Sequence, residues 1–324
     1  MRSQCLLVIC LTFGSLVPTA KPVKAASDLL ARGTASGVVR PTGSVGPGLA
    51  VPLRAPGGPF LVDSRGRAVF LHGVNVVFKH PPYLAYPDPG MAWNFDYHDA
   101  SQLASLGFDV VRLGIQWAGL EPGNAPANDP ALCSKGPPGD PGQFDQQAIN
   151  SYLAKVAETV DLLGRYHIYT ILDMHQDLYS AVFGGEGAPA WAVCTDGLPV
   201  TRPPGRWSRT YGTPALRAAF QNFWTNDVTG NPQGEFDRIW SAVAARFVRN
   251  PWVLGYDPFN EPFVPQIVRG EDGSFSSELR CFYEGRQLAE QSVGGQTAIS
   301  CPPGDPALGV IPAIEAADPR HLVF

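Results

Sequence analysis

Asp257-Pro258-Phe259-Asn260-Glu261-Pro262 sets a carboxylic acid beside an amide side chain, with prolines restricting the backbone around them. Such an acid can protonate a departing oxygen, which is what glycoside hydrolysis asks of one carboxyl group while a second works opposite it. Asn260 suits a hydrogen bond to a sugar 2-hydroxyl, a contact that strengthens in the transition state. Asn-Glu-Pro also occurs in plain surface turns, so the neighbours must decide. Arg112, within Val110-Val111-Arg112-Leu113, is a permanent cation in an apolar run, where an unpaired charge is costly and an anionic partner is expected. Asp173-Met174-His175-Gln176-Asp177 is a dense polar cluster after the apolar run from Ile168 to Leu172, and Lys79-His80 closes another such run, which contains Asn75.

The elements that must position these groups come from a rhythm in the chain. Short apolar runs at Leu71 to Val77, Val110 to Ile115, Ile168 to Met174, Val253 to Phe259 and His321 to Phe324 read as strands covered on both faces. Between them Ala100 to Leu106, Gln146 to Leu163, Phe236 to Phe247 and Val310 to Ala317 read as helices. The second carries Ile149, Leu153, Val156, Val160 and Leu163 at three- and four-residue steps and stops at Gly164. Strand–helix alternation means α/β with right-handed crossovers. No Gly-rich turn follows an early strand, as a nucleotide-binding sheet would need, and each run ends in polar residues. The expectation is therefore a (β/α)8 TIM barrel, of which the chain holds about the first half, strands one to the start of five. A small hairpin with its turn at Asp63 to Gly66 precedes it.

Three segments are expected: a secretory signal at 1–26, a Gly/Pro-rich arm at 27–59, and the barrel portion at 60–324. Met1-Arg2, a short apolar core and Ala25-Ala26 form the signal, which implies a secreted, extracellular protein. A lipoprotein is excluded because Ile9, not a small residue, precedes Cys10. Cleavage leaves Cys133, Cys194, Cys281 and Cys301, which allow three disulfide pairings; local closure favours Cys281–Cys301 with Cys133–Cys194. The net charge of −5 lacks long like-sign runs and argues against nucleic acid. Past the signal no apolar stretch nears the ~20 residues of a membrane span, so membrane contact is expected only transiently, at a surface. The 7 Trp, 10 Tyr and 17 Phe suit a protein that handles something flat and apolar on one face, such as a sugar. No cofactor or metal is expected, since the six histidines are scattered and no C-x-x-C occurs.

Taken together, Phe70-Leu71-His72-Gly73-Val74-Asn75, Val110-Val111-Arg112-Leu113, Asp173-Met174-His175-Gln176-Asp177 and Asn260-Glu261-Pro262 resemble glycoside hydrolase family five, in the clan of retaining barrel hydrolases. Val77 to Tyr83, Trp117 to Pro122, Asp173 to Tyr179 and Gly187 to Trp191 resemble endoglycoceramidases and related glycosylceramidases in particular. The resemblance covers roughly residues 60 to 324. It implies that Glu261 is the general acid/base and Asn260 its sugar-contacting neighbour. Lys79, His175 and Asp177 would bind the first sugar, and Arg112 would brace the nucleophile. The implied substrate is the β-linkage between an oligosaccharide and ceramide, with Trp191 and the loop from Phe183 to Trp207 as candidate walls of the cleft.

A retaining enzyme also needs a nucleophile about 5–5.5 Å from its acid, and the resemblance places it on a seventh strand. Glu284 and Glu315 are the later glutamates, but neither reads as a strand end, so no nucleophile is assigned in this chain. The expectation is a fragment that is inactive by itself. A family-five β-glucanase or β-mannanase is the nearest alternative, and a non-catalytic carbohydrate- or lipid-binding protein is the alternative of a different class.

Overall fold

The computed structural model describes residues 60–91, 94–265, 277–290 and 299–324. The expected signal and arm lie outside them. Residues 60–70 form an antiparallel hairpin of β1 (Leu61–Val62) and β2 (Ala68–Val69). Its turn is fixed by Asp63, whose carboxylate accepts the backbone N–H groups of Arg65 and Arg67, and by Gly66 at φ 73°, where a side chain would be strained.

Five parallel strands follow: β3 (Gly73–Val76), β4 (Val110–Ile115), β5 (Tyr169–Met174), β6 (Val253–Asp257) and β7 (Leu322–Val323). They lie side by side in chain order, β3-β4-β5-β6-β7. A doubly wound sheet would reverse its order at a switch point, and an unbroken run is the signature of a (β/α)8 barrel. The helices are α1 (Tyr97–Ser105), α2 (Trp117–Leu120), α3 (Pro130–Cys133), α4 (Gln146–Arg165), α5 (Pro214–Thr225), α6 (Pro232–Phe247), α7 (Ser277–Glu284), α8 (Arg286–Ala289) and α9 (Val310–Ala317).

Local chemistry explains the long ones. Asp145 caps α4 by accepting the N–H groups of Gln147 and Ala148, and the helix buries Ile149, Leu153, Val156, Val160 and Leu163 against the sheet layer. In α6, Pro232 stands at the first turn after Asn231, which caps it, and Ile239, Trp240, Val243 and Phe247 are buried. α5 is an addition to the expected helices; it buries Leu216, Ala219, Phe220 and Phe223.

Two expectations need correction. The first strand is not covered on both faces: β3 leaves Gly73 and Asn75 exposed, and among the described residues it pairs only with β4. The aromatic residues are not chiefly a sugar-facing surface either. Trp117, Trp191, Trp224 and Trp240 are buried, and Phe223, Phe236, Phe259 and Phe282 pack edge-on or tilted within 6.0 Å of one another inside the core. Two disulfides, Cys133–Cys194 and Cys281–Cys301, realise the pairing that local closure favours. Among the described residues no helix is long and apolar enough to cross a membrane.

Candidate active site

Register puts the charges on one face. Gly114 pairs with Asp173, and Asp173 pairs with Asp257 across adjacent strands, while Arg112 lies two residues before Gly114 on β4. Side chains two apart share a face, so Arg112, Asp173 and Asp257 project together. Gly114 leaves space there: a Cβ would meet Val77 at 3.0 Å and the His175 Cβ at 3.3 Å.

Arg112 is the hub. Its Nε donates to Asp257 Oδ2 at 2.9 Å, and its Nη2 donates to Asp257 Oδ2 at 2.6 Å, Asp173 Oδ1 at 2.7 Å and Asn260 Oδ1 at 3.0 Å. The anionic partner that its burial demands is thus a pair of aspartates. Asp173 is fully buried, and burial raises its carboxyl pKa against the pull of His175 and Arg112. Its second oxygen, Oδ2, lies 2.8 Å from His175 Nδ1, which turns Nε2 toward the open side.

On that side Nε2 lies 4.0 Å from Asp177 Oδ2 and 3.9 Å from Glu186 Oε1. The Lys79 ammonium bridges the same two carboxylates, bonding Asp177 and standing 3.1 Å from Glu186 Oε1. Burial alone would lower the lysine's pKa, but the bond to Asp177 and the charge of Glu186 outweigh it and raise it. Burial pushes Glu186 up to about 7, against the attraction of Lys79. His175, Asp177 and Glu186 have the spacing of a cation site, with donor atoms within 4.8 Å of one another. The Lys79 ammonium already supplies the positive charge between the carboxylates, so this donor set is an ion-pair network and not a metal cage.

Asn260 is held on both sides of its amide, by Arg112 at Oδ1 and by its own donation from Nδ2 to the Gln176 carbonyl at 3.0 Å. Gln176 Nε2 in turn donates to the carbonyls of Asn260 and Glu261 at 2.9 and 3.1 Å. Glu261 has φ 44°, in the left-handed region that a side chain enters at a cost. Its carboxylate is exposed, and its charge, together with that of Asp177, reaches the Tyr211 hydroxyl. Tyr211 Oη accepts the Leu178 N–H at 3.0 Å, and burial raises that phenol's pKa.

Five of the six residues singled out in the sequence share a side-chain network, from Lys79 and Asp177 past His175 to Asp173 and through Arg112 to Asn260, while Glu261 joins it by its backbone carbonyl, which accepts Gln176 Nε2. Arg112 is bound to Asp173, Asp257 and Asn260. Glu284 and Glu315 lie in helices α7 and α9, the former paired with Arg280 at 2.9 Å, so neither stands at a strand end. Trp191 is no cleft wall: it is 1% exposed and packs edge-on against Trp117 with ring centroids 5.4 Å apart. Sequence reasoning missed Glu186, Asp257 as a partner of Arg112, Gln176 as a clamp, and Tyr211. The Gly184-Gly185-Glu186-Gly187 run was the available signal for the first. A lone carboxylate in a glycine-rich loop needs a reason to be there, and Gly185 admits the Asp177 carbonyl where a Cβ would lie 1.8 Å from it.

A chain-ordered parallel sheet with a polar network and an Asn-Glu pair at its strand ends defines the barrel class of glycoside hydrolases. A family model described as cellulase (glycosyl hydrolase family 5) matches residues 73–272, and the chain belongs to that family. The endoglycoceramidase of Cyanea nozakii is 34% identical over 230 residues, covering 64% of this chain and 41% of that protein. Endoglycoceramidase I of Rhodococcus hoagii (strain 103S) is 32% identical over 209 residues, with 64% and 36% covered. Among solved structures, endo-glycoceramidase II from Rhodococcus sp. in its ganglioside GM3 complex superposes with a TM-score of 0.57 at 29% identity, over 82% of this chain and 50% of that one. The chain thus spans about two fifths of the curated relatives it matches and half of the solved one.

Proposed function

We infer that this polypeptide supplies the acid/base half of a secreted, retaining β-glycosidase that cleaves the bond between the oligosaccharide and ceramide of glycosphingolipids. One observation carries the reading: the Arg112 guanidinium holds Asn260 in place directly beside Glu261. Glu261 then protonates the glycosidic oxygen as it leaves and later deprotonates the attacking water. Asn260, oriented by Arg112 and the Gln176 carbonyl, hydrogen-bonds the 2-hydroxyl. Lys79, His175 and Asp177 offer donors and acceptors to the first sugar. A carboxylate nucleophile would face Glu261 from a strand beyond those described, with Arg112 bracing it. The names of the relatives support a glycolipid substrate, and two disulfides suit export to an oxidising compartment.

The test is Glu261→Gln in protein carrying the whole barrel, assayed on a glycosphingolipid and on a soluble β-glucan. The amide cannot donate the proton the leaving oxygen needs, so kcat on glycolipid should fall by roughly 10²–10⁴. Unchanged turnover would remove Glu261 from the mechanism. Faster cleavage of glucan than of glycolipid by the unaltered protein would move it to the polysaccharide hydrolases of the same family. Sugar binding without cleavage would make it a lectin-like protein.

A further inference from the structure

Residues 197–213 read Gly-Leu-Pro-Val-Thr-Arg-Pro-Pro-Gly-Arg-Trp-Ser-Arg-Thr-Tyr-Gly-Thr, with three arginines and no acid, in a chain whose net charge is −5. Arg202, Arg206 and Arg209 are all exposed, and among the described residues none is paired with a carboxylate. Among the described residues Arg202 and Arg209 donate only to the backbone carbonyls of Val182 and Pro204, at 3.3 and 3.1 Å, and meet no carboxylate. The same loop turns large apolar side chains to solvent: Leu198 at 38% and Val200 at 39% exposed ahead of Arg202, and Trp207 at 57% between Arg206 and Arg209.

The loop is built to hold this face outward. Its second half is a 3-10 turn, Trp207–Gly212, anchored by buried Thr210, and the two carbonyl bonds brace the first half. Trp207 rests against Tyr211 with ring centroids 6.1 Å apart, and Tyr211 belongs to the candidate active site through Leu178, Asp177 and Glu261. One end of the loop thus touches the site while its outer face is cationic and greasy.

We propose that this loop docks the protein onto the surface of an anionic lipid bilayer, with Trp207, Leu198 and Val200 entering the headgroup boundary and the three arginines meeting anionic headgroups. Charge complementarity selects that partner: an acidic protein is repelled by such a surface everywhere except where cations are concentrated, and a Trp flanked by Arg matches the amphipathic boundary of a bilayer. The inference takes its direction from the glycolipid reading, because a loop abutting the site would set it over a lipid whose sugar stands out of the bilayer plane.

The experiment is sedimentation of the protein with phosphatidylcholine vesicles and with vesicles in which part of the lipid is phosphatidylserine, neither containing glycolipid. Binding should favour the anionic vesicles and weaken with salt. Arg206→Glu removes one cation and adds an anion; at about fivefold per charge it should lower anionic-vesicle partition about twenty-five-fold and leave the neutral case unchanged. Arg206→Lys should retain partition, which controls for misfolding. Trp207→Ser should weaken binding to both vesicle types. Equal sedimentation with the two vesicle types, or an Arg206→Glu protein that binds like the parent, overturns the proposal, and the loop's face then belongs to a protein contact. Hydrolysis of a soluble aryl β-glycoside by protein carrying the whole barrel, used for the vesicle measurements as well, separates the two readings. Charge-dependent vesicle binding with no hydrolysis retains the docking surface and rejects the enzyme, and hydrolysis without such binding does the reverse.

Discussion

Glu121 and Glu235 offer a sharp test of how this fold holds its loops. Glu121 follows α2, is fully buried, and accepts the Trp117 indole N–H at 3.0 Å on Oε2. Glu235, in α6, takes Arg238 Nη1 at 2.5 Å on Oε1. Their other oxygens, Glu121 Oε1 and Glu235 Oε2, are buried without a donor among the described residues, and each carboxyl feels the charge of the other. A proton held on Glu121 would supply the missing donor. Burial raises Glu121 from the ordinary 4.5 to about 8, opposed by the Trp117 bond and helped by the negative charge of Glu235. Arg238 pulls the other way, and Asp140 adds repulsion at Glu235.

The folded protein therefore keeps a proton that the unfolded chain releases above 4.5. Stability from this group is fully present below that value, declines as pH rises through the folded pKa, and levels off once both states are ionised. At roughly 1.4 kcal/mol per pH unit, the interval corresponds to about 3–5 kcal/mol lost. Glu121→Gln replaces the proton with a permanent N–H donor toward Glu235 and keeps an oxygen for Trp117. Urea unfolding near pH 5 should place the variant within about 1 kcal/mol of the parent, and near pH 9 the variant should be the more stable by most of that amount. Burial also raises Glu186 and Asp305, both to about 7, so both proteins lose stability in alkali, but those contributions cancel in the difference. Parallel curves across the range would show that no proton is held there.

Arg112→Met should leave Asp173 buried with only His175 beside it. A buried pair broken from one side costs about 3–5 kcal/mol; because the arginine is partly exposed the expectation is about 2–3 kcal/mol in denaturant melts, with Asn260 loosened and turnover lowered. A melt within error of the parent would deny the hub. Replacing Cys133 and Cys194 by Ser opens a 61-residue span and should cost roughly 4 kcal/mol, more than the roughly 3 expected for Cys281 and Cys301 across 20 residues; the reverse ranking would count against loop entropy as the cause. Gly119→Ala would set a Cβ 2.4 Å from the Tyr152 ring, whose hydroxyl donates to the Tyr83 carbonyl and accepts the Gln116 N–H. A loss of about 1–3 kcal/mol is expected, and an unshifted melting point would show that the ring has room to move.

The amino-acid order was sufficient for the parallel strands, for the four most regularly spaced helices and for part of the list of reactive groups. Val110 to Ile115 and the 146–163 helix are written in local apolar spacing, and a strand or helix forms wherever its own side chains fall on one face. Local closure likewise favours the Cys281–Cys301 pairing over twenty residues. Arg112 announced its need for an anion because a charge in an apolar run must be neutralised, yet nothing nearby said that Asp257, 145 residues on, would share the duty with Asp173. Glu186 meeting Lys79, Trp191 turning into the core, and the proton held on Glu121 beside Glu235 are of the same kind. The sequence by itself determined which regularly spaced segments become strands and helices and some of the side chains that could react, because those follow from spacing along the backbone. Only the tertiary structure decided who neutralises whom, since partners far apart in the chain are chosen by strand register and burial, and both exist only once the sheet has assembled.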